Sequence, residues 1–159
     1  MGAEFGQGRE WNFDRSLDWH MLEKPLHLGI QQYVKDLNRI YRAERALHEV
    51  DFEGQGFHWI DCNDNDNSVV SFIRRSQDGG QFVIAALNFT PVPRDGYRIG
   101  VPAPGPYVEL VNSDASYYGG GNVGNGGVVF AEPIASHGCA DSLRLTLPPL
   151  ACVLLKPGR

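Results

Sequence analysis

The hydrophobic pattern of this chain changes once, near Asp51, and that change constrains the fold more than any other feature. Before it, apolar residues in the segment 26–46 recur at spacings of three and four, with charged residues between them. That spacing places the apolar side chains on one face of an amphipathic helix. After Asp51 the apolar runs are short or alternating, and turn residues separate them. The pattern therefore predicts one helix followed by an all-β region.

The helix prediction rests on one stripe of residues. Pro25 suits the first helical turn because its ring fixes a helical φ, whereas Gly29 lowers helix propensity by about 1 kcal/mol relative to alanine. The predicted apolar face consists of Ile30, Val34, Leu37 and Tyr41, with Tyr33 and Ile40 beside it.

The β region divides into eight predicted strands. Clusters of Asn, Asp, Gly and Pro separate them and supply the residues that tight reversals need. Their spacing fits an antiparallel sandwich. The predicted strands are 57–61, 68–75, 82–89, 97–101, 107–112, 128–132, 142–147 and 152–156.

Length and composition limit the class of protein. The chain has 159 residues, 42% of them hydrophobic and 21% charged, which suits one folded domain, or a small domain with an extra piece, and argues against disorder. A net charge of −5 provides no basic surface for nucleic acid or for an anionic membrane. The sequence shows neither a secretory signal nor a membrane-spanning apolar run, so we predict a cytoplasmic protein.

Cysteine and histidine spacings indicate neither a disulfide framework nor a metal site. Cys62, Cys139 and Cys152 are odd in number and widely spaced, which predicts reduced and buried thiols. His48 begins a zinc-protease-like string, but the residue four positions on is Phe52, which is no ligand. We therefore expect no metal and no cofactor.

Two loop motifs are similar to ligand-binding loops but lack residues that such loops need. "DCNDNDNS" (61–68) begins like a calcium loop, yet Asp66 occupies the position where that loop requires glycine, which favours a polar hairpin. "YYGGGNVGNGGVVF" (117–130) lacks a Gly-Lys-Ser/Thr ending and continues into a β-like segment. We interpret it as a long ordered loop with glycines at positive φ. Loops of this length also leave open a contact with another domain or a ligand.

The N-terminal stretch "MGAEFGQGREWNFDRSLDWH" is dense in acidic and aromatic residues. Its carboxylates belong to Glu4, Glu10, Asp14 and Asp18. A glycosidase needs two carboxyl groups at a fixed separation across the glycosidic bond. A short segment with little scaffold beneath it does not provide that geometry, so these residues alone predict no independent catalysis.

Strings spread along the whole chain resemble the C-terminal part of bacterial 1,4-α-glucan branching enzymes of the α-amylase superfamily. They are "MGAEFGQGREWN", "SLDWH", "DLNRIYR", "ALHEVDF", "GFHWIDCND", "SVVSFIRR", "NFTPVPRDGYRIGVP", "GNGG", "SHG" and "SLRLTLPPLA". The resemblance implies a mainly β fold: a C-terminal antiparallel β-sandwich preceded by a loop and one amphipathic helix from the end of a (β/α)₈ barrel. It assigns residues 1–48 to the last β/α unit of the catalytic barrel and residues 49–159 to the C-terminal all-β domain.

The resemblance also implies an activity for the whole enzyme, in glycogen biosynthesis. Branching enzymes cut an α-1,4 linkage with retention and transfer the glucan to a 6-hydroxyl group, which forms an α-1,6 branch. Their catalytic carboxylates lie on earlier barrel strands, and barrel catalysis draws on several strands, so we expect no catalytic residue here and no activity from this chain alone. The implied partners are α-glucans such as glycogen and maltooligosaccharides. A separately made barrel fragment is an alternative partner. We expect neither nucleic acid nor a membrane as a partner.

The resemblance carries over to individual residues only in the N-terminal loop. Glu4 matches the glutamate of the family's G-x-E-F loop near the substrate cleft, and Gln7 and Trp11 lie in the same loop. We predict that all three are neighbours of the substrate. Two interpretations of Trp11 stay open: its indole stacks on a glucose ring, or it packs on the barrel rim.

Two further expectations concern surfaces. In the intact enzyme the apolar face of the helix would cover barrel strands, so here it finds another partner or stays exposed. The alternative function is a free-standing glucan-binding or accessory β-sandwich module. Its aromatic platform would come from Tyr107, Tyr117, Tyr118 and Phe130, although core packing is the more frequent use of such residues.

Overall fold

A computed structural model describes residues 1–158. It contains one α-helix, α1 (Pro25–Ala43), followed by eight strands. The predicted order of elements is confirmed, although the helix ends at Ala43 instead of Ala46. The strands are β1 (Phe57–Asp64), β2 (Val69–Arg75), β3 (Phe82–Asn88), β4 (Arg94–Val101), β5 (Pro106–Asn112), β6 (Val128–Phe130), β7 (Asp141–Leu147) and β8 (Ala151–Pro157).

The strands form two antiparallel sheets. The larger sheet has six strands in the order β1-β2-β3-β8-β5-β6, and the smaller sheet pairs β4 with β7. Strand β7 shows why the sheets pack: Leu143, Leu145 and Leu147 are fully buried, whereas Arg144 between them is exposed. Each fully buried leucine contributes about 1.5–3 kcal/mol relative to an exposed one. The predicted antiparallel sandwich is therefore confirmed, with its main core between the two sheets.

Helix α1 packs on the other face of the larger sheet. Its residues Tyr33, Leu37 and Ile40 join a second apolar cluster with Leu110 and Leu154. Since side chains alternate along a strand, Leu154 faces away from the main core. The predicted helix face is thus partly wrong, because the residues on its flank, Tyr33 and Ile40, make this contact.

Several other apolar residues of α1 are exposed. Ile30 and Tyr41, which the sequence pattern places on the main apolar face, are exposed, and so are Leu26 and Leu28. Ile30 and Tyr41 lie within about 40° of Leu37 around the helix axis, whereas Leu28 lies on the opposite side. Within residues 1–158, no helix is both long and apolar enough to span a bilayer.

A glycine lets the helix approach the glycine-rich loop closely. A Cβ atom at Gly29 would lie 2.2 Å from the carbonyl oxygen of Tyr118. The rings of Tyr33 and Tyr118 are 5.1 Å apart, and the Tyr118 hydroxyl donates a hydrogen bond to Asp36 Oδ2 at 2.9 Å. Gly29 is therefore explained by packing, despite its cost in helix propensity.

The segment 61–68 closes the hairpin between β1 and β2. The Asp64 carboxylate accepts hydrogen bonds from the Asn67 backbone N–H at 3.1 Å and from the Tyr97 hydroxyl at 2.7 Å. The Tyr97 bond, helped by those from Asn67, holds the pKa of Asp64 below its ordinary value. These bonds confirm the polar hairpin.

The three cysteines are free thiols, as predicted, but their predicted burial is wrong in part. Cys62 is exposed because it lies on β1, the edge strand of the larger sheet, most of which faces solvent. Cys152 is half-buried, and burial raises the pKa of its thiol to about 11.

Candidate functional site

The N-terminal loop is anchored to α1 through Phe5. The Phe5 side chain is fully buried, and its ring centroid lies 5.2 Å from that of Trp19. The Phe5 carbonyl oxygen accepts a hydrogen bond from His27 Nδ1 at 2.9 Å. Gly6 follows at a φ of +69°, a conformation that glycine adopts without strain. The loop therefore has a fixed position on the helix.

Gln7 connects the two arms of this loop. Its Oε1 accepts a hydrogen bond from the Asp18 backbone N–H at 2.9 Å, and its Nε2 donates to the Arg9 carbonyl oxygen at 2.9 Å. Arg9 and Asp18 also form an ion pair. Both ends of the Gln7 amide are used inside the protein, so Gln7 sets the shape of the loop.

Trp11 and Gln7 border the same small pocket. The pocket has a volume of about 110 Å³ and is also lined by Arg9 and Arg15, and the Trp11 side chain is 49% exposed. Glu4 does not line it; its Oε2 accepts a hydrogen bond from the Gly2 backbone N–H at 3.0 Å. Of the three predicted substrate neighbours, the structure thus brings two together and leaves Glu4 beside them.

The chemistry available in this pocket is binding. Pockets that enclose a small molecule measure about 300–1,000 Å³, so a pocket of about 110 Å³ can form only one edge of a larger cleft. A half-exposed indole and two guanidinium groups suit a polar ligand with an apolar face, such as a sugar ring. Within residues 1–158, no cluster of His, Cys, Asp and Glu side chains has a metal-binding arrangement.

The glycine-rich loop is ordered by side chains of its own. The Asp114 carboxylate accepts hydrogen bonds from the backbone N–H groups of Gly121 at 2.8 Å and Val123 at 2.9 Å. Asn112 Nδ2 donates to the Val123 carbonyl oxygen at 2.7 Å. A phosphate would need free N–H groups, and here a carboxylate of the protein already uses these two. The loop is thus a structural element, as predicted.

Two of the four proposed platform aromatics belong to the core. Tyr107 is fully buried and Tyr118 nearly so, because both lie on inward-facing positions of the sandwich and its helix contact. Burial raises the pKa of the Tyr107 hydroxyl to about 12, and this hydroxyl donates to the Ala103 carbonyl oxygen at 2.8 Å. The prediction that these two residues belong to a binding platform is therefore wrong. Tyr117 and Phe130 are exposed.

The sandwich matches a known domain family. Residues 59–158 correspond to the family described as the alpha amylase C-terminal all-beta domain. The chain belongs to this family. The match covers every strand of this alpha-amylase C-terminal domain except the first residues of β1.

The whole chain is also similar to longer proteins with this C-terminal domain. It is 52% identical to the 1,4-alpha-glucan branching enzyme GlgB of Methylobacillus flagellatus over 99% of its own length and 22% of that protein. It is 56% identical to the GlgB of Pseudomonas fluorescens over 99% and 21% of the two chains, and 52% identical to that of Aquifex aeolicus over 98% and 25%. The chain spans about a fifth to a quarter of the length of the curated relatives it matches. The resemblance to branching enzymes is confirmed.

Among solved structures, an inactive double mutant of MutB in complex with isomaltulose aligns with the chain at a TM-score of 0.46 and 20% identity. The alignment covers 80% of this chain and 17% of that one.

The alpha-amylase C-terminal domain leaves the N-terminal loop and α1 outside its bounds. Both precede residue 59, where the match begins, and both lie inside the similarity to branching enzymes. The density of acidic and aromatic residues drew attention to the loop, and the resemblance to branching enzymes singled out Glu4, Gln7 and Trp11 within it. Arg9 and Arg15, which line the pocket, were not predicted, because arginines without a characteristic spacing give no sequence signal.

Proposed function

We propose that the chain forms the C-terminal portion of a 1,4-α-glucan branching enzyme, which acts in glycogen biosynthesis. The observation that carries this proposal is an identity of 52–56% to five branching enzymes over 98–100% of the chain. In this proposal residues 1–48 complete the catalytic barrel and residues 49–159 form the C-terminal sandwich. The catalytic carboxylates belong to the rest of the enzyme, and the protein acts in the cytoplasm.

The exposed apolar residues of α1 are the proposed contact with the rest of the barrel. Leu26, Leu28, Ile30 and Tyr41 are exposed along this helix, and Trp19 is exposed just before it. Exposed apolar residues grouped on one element mark an interaction surface. The same helix packs on the sandwich through Tyr33, Leu37 and Ile40, which lie beside most of these exposed residues around the helix axis. The proposed barrel contact therefore borders the sandwich contact, and Leu28 alone extends it to the opposite side of the helix.

The N-terminal loop is the proposed contribution to the glucan cleft. In this proposal Trp11 stacks on a glucose ring, and Gln7 positions the loop through its bonds to Asp18 and Arg9. Glu4 supports the turn at Gly2 and lies next to the substrate without reacting. The ligands of the cleft are glycogen and maltooligosaccharides, and these residues bind them without supplying the acid or the nucleophile.

A chimeric enzyme tests the proposal. The segment of the Pseudomonas fluorescens branching enzyme that matches this chain is replaced with the chain itself, and branching of amylose is followed by the loss of iodine colour. We expect an active chimera and no activity from the chain alone. A folded chimera without activity would contradict the proposed function.

A second arm tests whether the chain acts when it is made separately. The truncated Pseudomonas fluorescens enzyme and this chain are expressed together as two polypeptides. Branching restored in this arm would identify the barrel fragment as a partner in trans. No branching, with an active fused chimera, would limit the function to a covalently joined enzyme.

A further inference from the structure

Three aromatic side chains lie together at the β1 edge of the larger sheet. Phe57 and Trp59 belong to β1, and Phe72 belongs to β2. Ile60 and Ile73 come next on the two strands and pack with the main core. Since side chains alternate along a strand, the three rings lie on the opposite face of the sheet, which is the face that α1 covers in part. These three residues form the aromatic face.

The rings of the aromatic face contact one another and remain open to solvent. The ring centroids of Phe57 and Trp59 are 4.7 Å apart, and those of Phe57 and Phe72 are 5.1 Å apart. Nevertheless, Trp59 is 47% exposed and Phe57 is 37% exposed. Exposed apolar residues that are grouped together mark an interaction surface, and β1 is also an edge strand, which proteins commonly cover. Residues 1–158 leave this surface uncovered.

The aromatic face continues the flank of α1 that carries Ile30 and Tyr41. The Tyr41 hydroxyl donates a hydrogen bond to Asp51 Oδ2 at 3.4 Å, and Asp51 Oδ1 accepts one from Arg74 Nη2 at 2.5 Å. Arg74 is the partner of Phe57 in the register of β1 and β2. One surface therefore runs from this flank of the helix, across the Asp51–Arg74 ion pair, to the aromatic face.

The N-terminal loop shows on which flank of α1 the rest of the enzyme is attached. The chain spans only 21–25% of the length of its relatives, and under the proposed function the remaining polypeptide precedes Met1. The loop that follows Met1 packs beside Ile30, since a Cβ atom at Gly6 would lie 3.1 Å from Ile30 Cδ1. Ile30 lies about 20° from Tyr41 around the helix axis. The preceding polypeptide therefore arrives on the flank that leads to the aromatic face.

The glycine-rich loop already occupies the other flank of α1. The Tyr118 hydroxyl donates to Asp36 Oδ2 at 2.9 Å, and the Tyr118 carbonyl oxygen lies where a Cβ atom at Gly29 would be 2.2 Å away. Gly29 and Asp36 lie about 100° and 120° from Ile30 around the helix axis. A large partner of this helix therefore has open access to the sheet on the β1 side.

We propose that the aromatic face is a docking surface for the polypeptide that precedes Met1 in the whole enzyme, with Trp59 as its main contact. The inference rests on the proposed function and extends it, because the contact with the rest of the enzyme then includes the sandwich itself as well as α1. Tryptophan is enriched among the residues that dominate interfaces, and a buried indole N–H needs a hydrogen-bond acceptor. The occupant is therefore an apolar surface with an acceptor opposite the Trp59 indole.

Hydroxyl-radical footprinting of the chimera tests the docking surface. The isolated chain gives the reference rate, and mass spectrometry measures the oxidation of each residue. We expect Trp59 to be oxidised about tenfold more slowly in the chimera than in the isolated chain, because a docked aromatic residue is shielded from water. Phe130 is the matched control. It is exposed on β6, at the opposite edge of the same sheet, and should react equally in both proteins.

Substitutions give a second measurement. Trp59→Ala should lower the urea midpoint of unfolding more in the chimera than in the isolated chain, because only the chimera supplies a partner for the indole. Phe130→Ala should change the two midpoints equally. Circular dichroism before the titration shows that each variant is folded.

Three results would overturn the inference: equal oxidation of Trp59 in the chimera and the isolated chain, equal protection of Trp59 and Phe130, or protection of Trp59 in the isolated chain that rises with its concentration. The last result would identify a second copy of the chain as the occupant. An active chimera with any of these results leaves the proposed function standing. A folded but inactive chimera rejects the proposed function, and its footprint still decides the docking surface.

Discussion

Replacing Gly29 with alanine should destabilise the protein, although helix propensity alone predicts the opposite. In an isolated helix the Gly29→Ala change would stabilise by about 1 kcal/mol. In this structure the new Cβ atom would lie 2.2 Å from the Tyr118 carbonyl oxygen and 2.7 Å from its carbonyl carbon. Both atoms belong to the backbone, so no side-chain rotation relieves the clash, and either α1 or the glycine-rich loop must move.

The magnitude follows from two opposing contributions. Overpacking of this kind costs about 1–3 kcal/mol, and the gain in propensity offsets about 1 kcal/mol of it. Because the clash at 2.2 Å involves backbone atoms, we place its cost at the upper end of this range and expect a net loss of about 2 kcal/mol in the free energy of unfolding. For a chain of this length that corresponds to a decrease in Tm of about 4–8 °C.

Urea titration followed by far-UV circular dichroism measures this loss. The matched control is Asn38→Ala, because Asn38 is exposed on the same helix and alanine there should stabilise by about 0.5 kcal/mol. The two substitutions thus have opposite expected signs. If Gly29→Ala were as stable as the parent or more stable, α1 would not be packed on the loop as described.

Three further predictions concern the helix contact, acid stability and the cleft. Tyr118→Phe removes the hydrogen bond to Asp36 and should lower the free energy of unfolding by about 1 kcal/mol, measured by the same titration; no change would mean that the bond does not stabilise the contact. Hydrogen bonds from Gln32 and then from Tyr118 lower the pKa of Asp36, and bonds from Ser76 and then from Gly80 lower that of Asp78 to about 2. A lowered carboxyl pKa stabilises the folded state above the unfolded pKa, so stability should decline as the pH falls from about 4, and a flat profile between pH values of about 4 and about 2 would contradict this. In the chimera, Trp11→Ala should lower kcat/KM for amylose about tenfold while stability changes by less than about 0.5 kcal/mol; unchanged kinetics would remove Trp11 from the cleft.

The sequence predicted the strands well because alternation is a local signal. In β7 each buried leucine is separated from the next by one outward residue, and period-two alternation is visible without knowledge of the partner strand. The hairpin at 61–68 was predictable for the same reason, since its Asn and Asp residues bond within the turn itself.

Contacts between distant segments were not predictable in this way. Gly29 contacts the backbone of Tyr118, and a backbone contact has no sequence signature. The sequence therefore indicated only that Gly29 lowers the helix propensity of α1. The buried side of α1 was assigned correctly only in part, because its apolar stripe is broad and only the position of Leu154 on the sheet decides which residues of the stripe are covered.

Proton NMR of amylose treated with the chimera gives its content of α-1,6 linkages, and so tests whether this chain is part of a branching enzyme. We expect new α-1,6 signals at a rate within about tenfold of the parent branching enzyme, and none with this chain alone. A chimera that unfolds cooperatively like the parent but produces no α-1,6 linkages would contradict it.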